Sequence, residues 1–179
     1  MKNEKIVEIA IKEGFADAAI IDTADIVFDA SFRPYCEENL CGWYGANYSC
    51  PPDCGTPEEM KERVQKYKHA LVLRTVWDIN DFKDSSLIKS AKQKHNAYTM
   101  SVIEQMEKEG HMGFMVGASG CALCNPCLII EGKPCKFPNK RYSCMSAYCI
   151  YVKDLAEKCG MVYDYKESAL PFFSMYVYD

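Results

Sequence analysis

His69-Ala-Leu-Val-Leu-Arg-Thr-Val-Trp77 is the stretch on which the fold turns. It is nearly continuous in apolar residues and rich in β-branched and aromatic types, which suits a mostly buried strand. The next stretch has a different period. From a cap at Ser85 or Ser86 to about Glu109, Ile88, Ala91, Tyr98, Val102 and Met106 fall on one helical face, and Gly110 closes it. Residues 112–117 then read as a second strand. The three segments predict a β-α-β unit, with parallel strands and a right-handed crossover.

Working outward, residues 3–13 read as a helix through Ile6, Ile9 and Ala10, with Gly14 as its stop. Short apolar runs at 18–21 and 26–28 suit strands. Thr56-Pro57-Glu58-Glu59 is a helix start: Thr56 caps, Pro57 fits the first turn, and Glu59 completes a capping box. Met60, Val64 and Tyr67 then share a face. Helical stretches are expected at 143–149 and 152–159, the latter ended by Gly160, and a last strand at 172–178. The expectation is one α/β domain over residues 1–179: a mixed sheet, packed helices and two cysteine-rich loops.

Hydrophobic residues make up 49% of the chain and charged residues 26%, which places it among ordinary globular proteins. A formal net charge of −4 leaves no broad nucleic-acid footprint. No apolar run reaches the length of a membrane span. The amphipathic start, with Glu4, Glu8 and Glu13, does not read as a signal peptide. The expected compartment is therefore the cytoplasm, where cysteine-rich patterns bind metal or do redox chemistry instead of forming disulfides.

Eight of the eleven cysteines form two blocks. Cys121, Cys124, Cys127 and Cys135 have the spacing C-x2-C-x2-C-x7-C. Two-residue gaps let successive thiolates wrap one face of an iron–sulfur cluster. Gly120 and Pro126 permit a tight loop whose amides turn toward sulfur. Cys135 is the favoured fourth ligand; Cys144 or a cysteine of the other block is the alternative. Structural zinc is the competing reading, but its usual pattern is two separated C-x2-C knuckles or a Cys/His mixture. His69, His95 and His111 are the chain's three histidines, none is beside the blocks, and all read as core or surface residues.

The other block is Cys36, Cys41, Cys50 and Cys54, at C-x4-C-x8-C-x3-C. Cys36, Cys41 and Cys50 read as three ligands, with Trp43, Tyr44 and Tyr48 as walls against water or as plain core. Either Cys54 closes the site, or the turn at Pro51-Pro52 sends it away and leaves one iron open to act as a Lewis acid. Arg33, Lys133, Lys136, Lys140 and Arg141 read first as loop surface, and otherwise as charges that raise a cluster's potential or receive an anionic partner. Cys144, Cys149 and Cys159 read as small buried apolar residues. Each block directly succeeds an expected strand. If those strands are parallel, both blocks leave one edge of the sheet and lie close together.

Taken together, these motifs resemble the "predicted metal-binding protein" family, a domain of unknown function common in anaerobic bacteria and archaea. The resemblance rests on Arg33-Pro-Tyr-Cys36, Cys41-Gly-x-Tyr-Gly45, Cys50-Pro-Pro52, Cys121-x2-Cys124-x2-Cys127, Glu131-Gly-Lys-Pro-Cys135-Lys-Phe-Pro138 and Ser143-Cys-Met-Ser-Ala147. It implies Cys36, Cys41, Cys50, Cys121, Cys124, Cys127 and Cys135 as metal ligands, with Cys54 outside the pattern, in an anaerobic setting. The expected function is binding of two [4Fe-4S] clusters for electron transfer with a redox partner protein. An enzyme acting on a small-molecule substrate at an open iron, and a zinc-stapled interaction module, are the alternatives. No phosphate loop, HExxH or GxSxG motif supports a nucleotide or hydrolase reading.

Overall fold

The computed structural model describes residues 2–79, 83–164 and 169–179. Helix α1 (Asn3–Glu13) ends at Gly14 in a left-handed conformation and feeds β1 (Asp17–Asp22). The short α2 (Arg33–Glu37) and α3 (Pro57–Gln65) come next, then β2 (His69–Asp78), α4 (Ser85–Lys108) and β3 (Gly113–Gly117). The two-residue β4 (Ser143–Cys144), α5 (Val152–Lys158) and β5 (Ala169–Tyr178) complete the order. Thr56 and Glu59 form the expected capping box on α3. The cap of α4 is Asp84, not Ser85 or Ser86; its carboxylate accepts from the Ser86 and Leu87 amides.

The five strands lie in the order β1-β2-β5-β3-β4. β1 pairs antiparallel with β2, and β5 pairs antiparallel with both β2 and β3. β2 and β3 are therefore parallel to each other, as the β-α-β reading requires, but β5 is inserted between them. Nothing local to residues 69–117 signals that insertion, because the intervening strand arrives some fifty residues later. β4 extends the edge parallel to β3, pairing Val116 with Ser143 and Gly117 with Cys144.

Alternation along the strands sends two sets of residues to opposite faces. Ala70, Val72, Val116, Phe173, Met175 and Val177 pack with Met60 and Val64 of α3 and Leu155 and Ala156 of α5. Leu71, Leu73, Met115, Tyr176 and Tyr178 pack with Ile6 and Ala10 of α1 and Val102, Ile103 and Met106 of α4. The sheet is thus the middle of three layers, buried on both sides, which explains why β2 reads as a continuous apolar run. Gly113 is needed where β3 meets β5: a Cβ there would lie 1.9 Å from the Val177 carbonyl oxygen.

Two expected elements are absent. Residues 26–28 form no strand; Phe28 makes one isolated bridge, to Ile150. Residues 143–149 are not helical. They are β4 and then turns, and Cys149 is in the left-handed region at φ 55°. Among the described residues no helix is long and apolar enough to cross a membrane.

Candidate metal centre

Both cysteine blocks lie at the edge of the sheet where β3 and β4 end. The route of the first block differs from the one expected. β1 runs antiparallel to β3, so the chain must turn back through residues 23–32 before α2 begins. The blocks nevertheless touch. Asn47 Nδ2 donates to the Cys121 carbonyl at 2.9 Å, and the Cys121 amide donates to Ser49 Oγ at 2.9 Å. Tyr48 OH donates to the Lys133 carbonyl at 2.8 Å. Gly120 suits this close approach, because a Cβ on it would lie 3.1 Å from both Cys50 Sγ and the Trp43 ring and would require them to shift by a few tenths of an ångström.

Cys36, Cys41, Cys50 and Cys144 line one open cavity of about 660 Å³. Four short stretches of chain supply them. α2 carries Cys36, the turn after it carries Cys41, and Cys50 ends a turn whose amide donates to the Asn47 carbonyl at 2.9 Å. Cys144 comes from β4, held in place by its pairing with Gly117 and by the Met145 amide on the Gly117 carbonyl at 3.1 Å. The reading of Cys144 as a small buried apolar residue is therefore corrected: it is half-buried and faces the cavity. Cys149 is buried, as expected, and Cys159 half-buried.

Cys54 lies elsewhere. Its thiol packs 3.4 Å from Met60 Sδ in the core beneath α3, away from the cavity. Trp43 and Tyr44 wall the cavity with Pro51, while Tyr48 belongs to the second site.

Burial pushes the Cys36 thiol up to about 11 and the Cys50 thiol up to about 12, and repulsion from Cys144 and Cys41 adds to both. Burial also raises Cys144. The Ala147 and Ser146 amides and the charge of Lys92 act against that shift by favouring its thiolate. The cavity therefore gathers four thiols that repel one another once ionised, with backbone N–H groups already turned to one of the sulfurs.

Cys121, Cys124, Cys127 and Cys135 line a narrow cleft of about 10 Å³ together with Asn47, Tyr48, Phe137 and Arg141. Burial raises the Cys121 thiol, and the Leu123 and Tyr142 amides lower it by donating to sulfur. The Leu123 amide is an inward-turned amide of the kind expected of the loop, and the Tyr142 amide joins it from just beyond the loop. The cleft is closed down on its thiols, so any group larger than a water must part them. The loop has little regular structure to resist this; Leu128–Glu131 is one short turn of 3-10 helix.

The basic residues divide. Arg141 borders the second cleft, its guanidinium 5.9 Å from the Tyr48 ring. Lys133 pairs with Glu131 at 2.5 Å, Lys136 lies over Phe137, and Lys140 is exposed. Arg33 is not loop surface. It is 9% exposed and donates to the Gly55 carbonyl at 2.8 Å and the Ala147 carbonyl at 2.9 Å. It thereby ties the start of the first block to the turn after Cys144. Arg33→Met would leave both carbonyls without that donor, which is expected to cost about 2–4 kcal/mol. Thermal melting of equally loaded samples checks this, and a loss below about 1 kcal/mol would mean the clamp is dispensable.

The histidines take no part. His95 is fully buried on α4, its Nδ1 2.7 Å from Thr75 Oγ1, and burial lowers its pKa to about 3. Neither His69 nor His111 lines either site. Among the described residues, no three His, Cys, Asp or Glu side chains converge tightly enough to hold a single metal ion as they stand.

No curated protein and no solved structure matches this chain significantly. The profile of one family matches residues 19–177, nearly the whole of the three-layer fold and all eight cavity-lining cysteines. The chain belongs to the family described as "Predicted metal-binding protein (DUF2284)".

Proposed function

We propose that the protein binds two [4Fe-4S] clusters and passes electrons between them. The first is assigned to Cys36, Cys41, Cys50 and Cys144, the second to Cys121, Cys124, Cys127 and Cys135. The observation that carries this is the division of eight thiols into two all-sulfur sets of four, each around its own cavity. Thiolate-only donor sets suit iron–sulfur clusters or zinc. A single zinc draws four sulfurs to about 2.3 Å from itself. A cavity of about 660 Å³ with thiols on separated walls suits a bulkier cofactor. When bound, such clusters supply one-electron transfer, tuned by hydrogen bonds to sulfur and by exposure.

The chain's own residues support transfer in three ways. Ser146, Ala147, Leu123 and Tyr142 direct amides at cysteine sulfur and so favour the more negative, reduced state. Trp43, Tyr44 and Pro51 shield the first site. Ser49, adjacent to Cys50, accepts from the Cys121 amide, which gives a short hydrogen-bonded link from one ligand set to the other. With Cys144 in the fourth place, full ligation of the first cluster is favoured over an open iron.

The reading predicts that, in the fully reduced protein, the two clusters broaden and split each other's EPR signals. Two independent, unperturbed signals would contradict the link through Ser49 and Cys121.

A further inference from the structure

The first cavity is larger than a cluster needs. Eight cluster atoms, each given the roughly 30 Å³ share of a liquid water, occupy about 240 Å³. The cavity holds about 660 Å³, and a second of about 320 Å³ adjoins it, the two sharing Trp43, Lys89, Gln93 and Ala122. A continuous groove therefore runs from the first ligand set to Cys124 and Asn125 of the second.

One wall of this groove is the first part of α4. Ile88, Lys89, Lys92 and Gln93 recur at helical spacing and all line it. Lys92 lines the same cavity as Cys144, with its Nζ 5.6 Å from the Phe172 ring centroid. Neither lysine forms an ion pair among the described residues, and no Asp or Glu lines either cavity. Trp43 and Ile88 supply apolar surface in the same groove. Ligand pockets have this composition: mostly apolar walls, a few convergent polar groups, and a volume of several hundred Å³.

We infer that this groove is a binding site for a small organic oxyanion, a carboxylate or phosphate ester with a planar apolar body. Its charged end is held by Lys89, Lys92 and Gln93, and its body lies on Trp43. The inference rests on the cluster reading, since it concerns the space left beside the first cluster.

The test is titration of the anaerobically prepared, cluster-loaded protein with benzoate and, separately, phenyl phosphate at low ionic strength. Calorimetry and the EPR signal of the reduced protein are the readouts. Saturable binding of at least one probe, with a Kd below about 1 mM, and a shift in one cluster's signal are expected. The K89M/K92M double variant, with unchanged iron and sulfide, is expected to bind at least about tenfold more weakly. The two arms decide between carboxylate and phosphate. If the lysines only balance cluster charge, the double variant changes the reduction potential while neither probe binds the parent protein, and the inference is overturned. Iron and sulfide content of the same sample separates the two readings. Full clusters without probe binding overturn this inference alone, and a protein without iron overturns both.

Discussion

Serine in place of Cys144 is expected to remove about half of the bound iron, from about eight atoms per chain to about four. Serine in place of Cys54 is expected to leave all of it. The contrast is sharp because sequence proximity favours the opposite result: Cys54 is four residues from Cys50, and Cys144 is ninety-four. Geometry reverses the order. Cys144 is held at the end of β3 by pairing with Gly117 and faces Cys36, Cys41 and Cys50 across one cavity. Cys54 packs against Met60 in the core. Cys54→Ser still puts a hydroxyl into an apolar site, and about 1–3 kcal/mol of stability is expected to be lost. Iron content and stability therefore separate the two variants. The reverse pattern, with iron lost on Cys54→Ser and kept on Cys144→Ser, would dismantle the first site.

Removing the clusters is expected to unfold both loops and spare the sheet. Residues 38–55 and 118–142 contain little regular structure and are tied to each other mainly through Asn47, Tyr48 and Ser49. In such segments, metal-binding free energy is folding free energy. The central strands β2 and β5 pair over ten residues and are covered on both faces mainly by helices α1, α3, α4 and α5, so they are expected to outlast the loops. Hydrogen exchange before and after chelation measures this. Amides of the two loops are expected to exchange at least about a hundredfold faster, corresponding to about 2.7 kcal/mol of lost local stability, while β2 and β5 stay protected. Unchanged loop protection would show that the sites are rigid without metal.

The contrast between the two sites explains what is legible in the sequence. The four thiols of the second cleft lie within fifteen residues, at spacings that themselves encode a wrapped loop, so all are recognisable. Three of the four thiols that line the first cavity are recognisable for the same reason. The fourth is not, because its position depends on β4, two residues long, in a segment whose residues suit a helix. Arg33 misleads in a similar way: a cation next to a cysteine motif resembles surface, and only the carbonyls of Gly55 and Ala147 reveal it as a buried clamp.

The same division runs through the fold. The helices α1, α3 and α4 announce themselves through caps and periodicity, and β2 through its unbroken apolar run. The insertion of β5 between β2 and β3 is a long-range pairing with no local signal. Residues 26–28 are apolar enough for a strand, but they only bridge to Ile150 while the chain turns back toward α2.

The most direct measurement is the iron, acid-labile sulfide and zinc content of protein purified without oxygen, with its absorbance near 400 nm. Two clusters require about eight irons and eight sulfides per chain and a broad absorbance band in that region. Zinc bound without sulfide would contradict the redox reading and leave a zinc-stapled fold in its place.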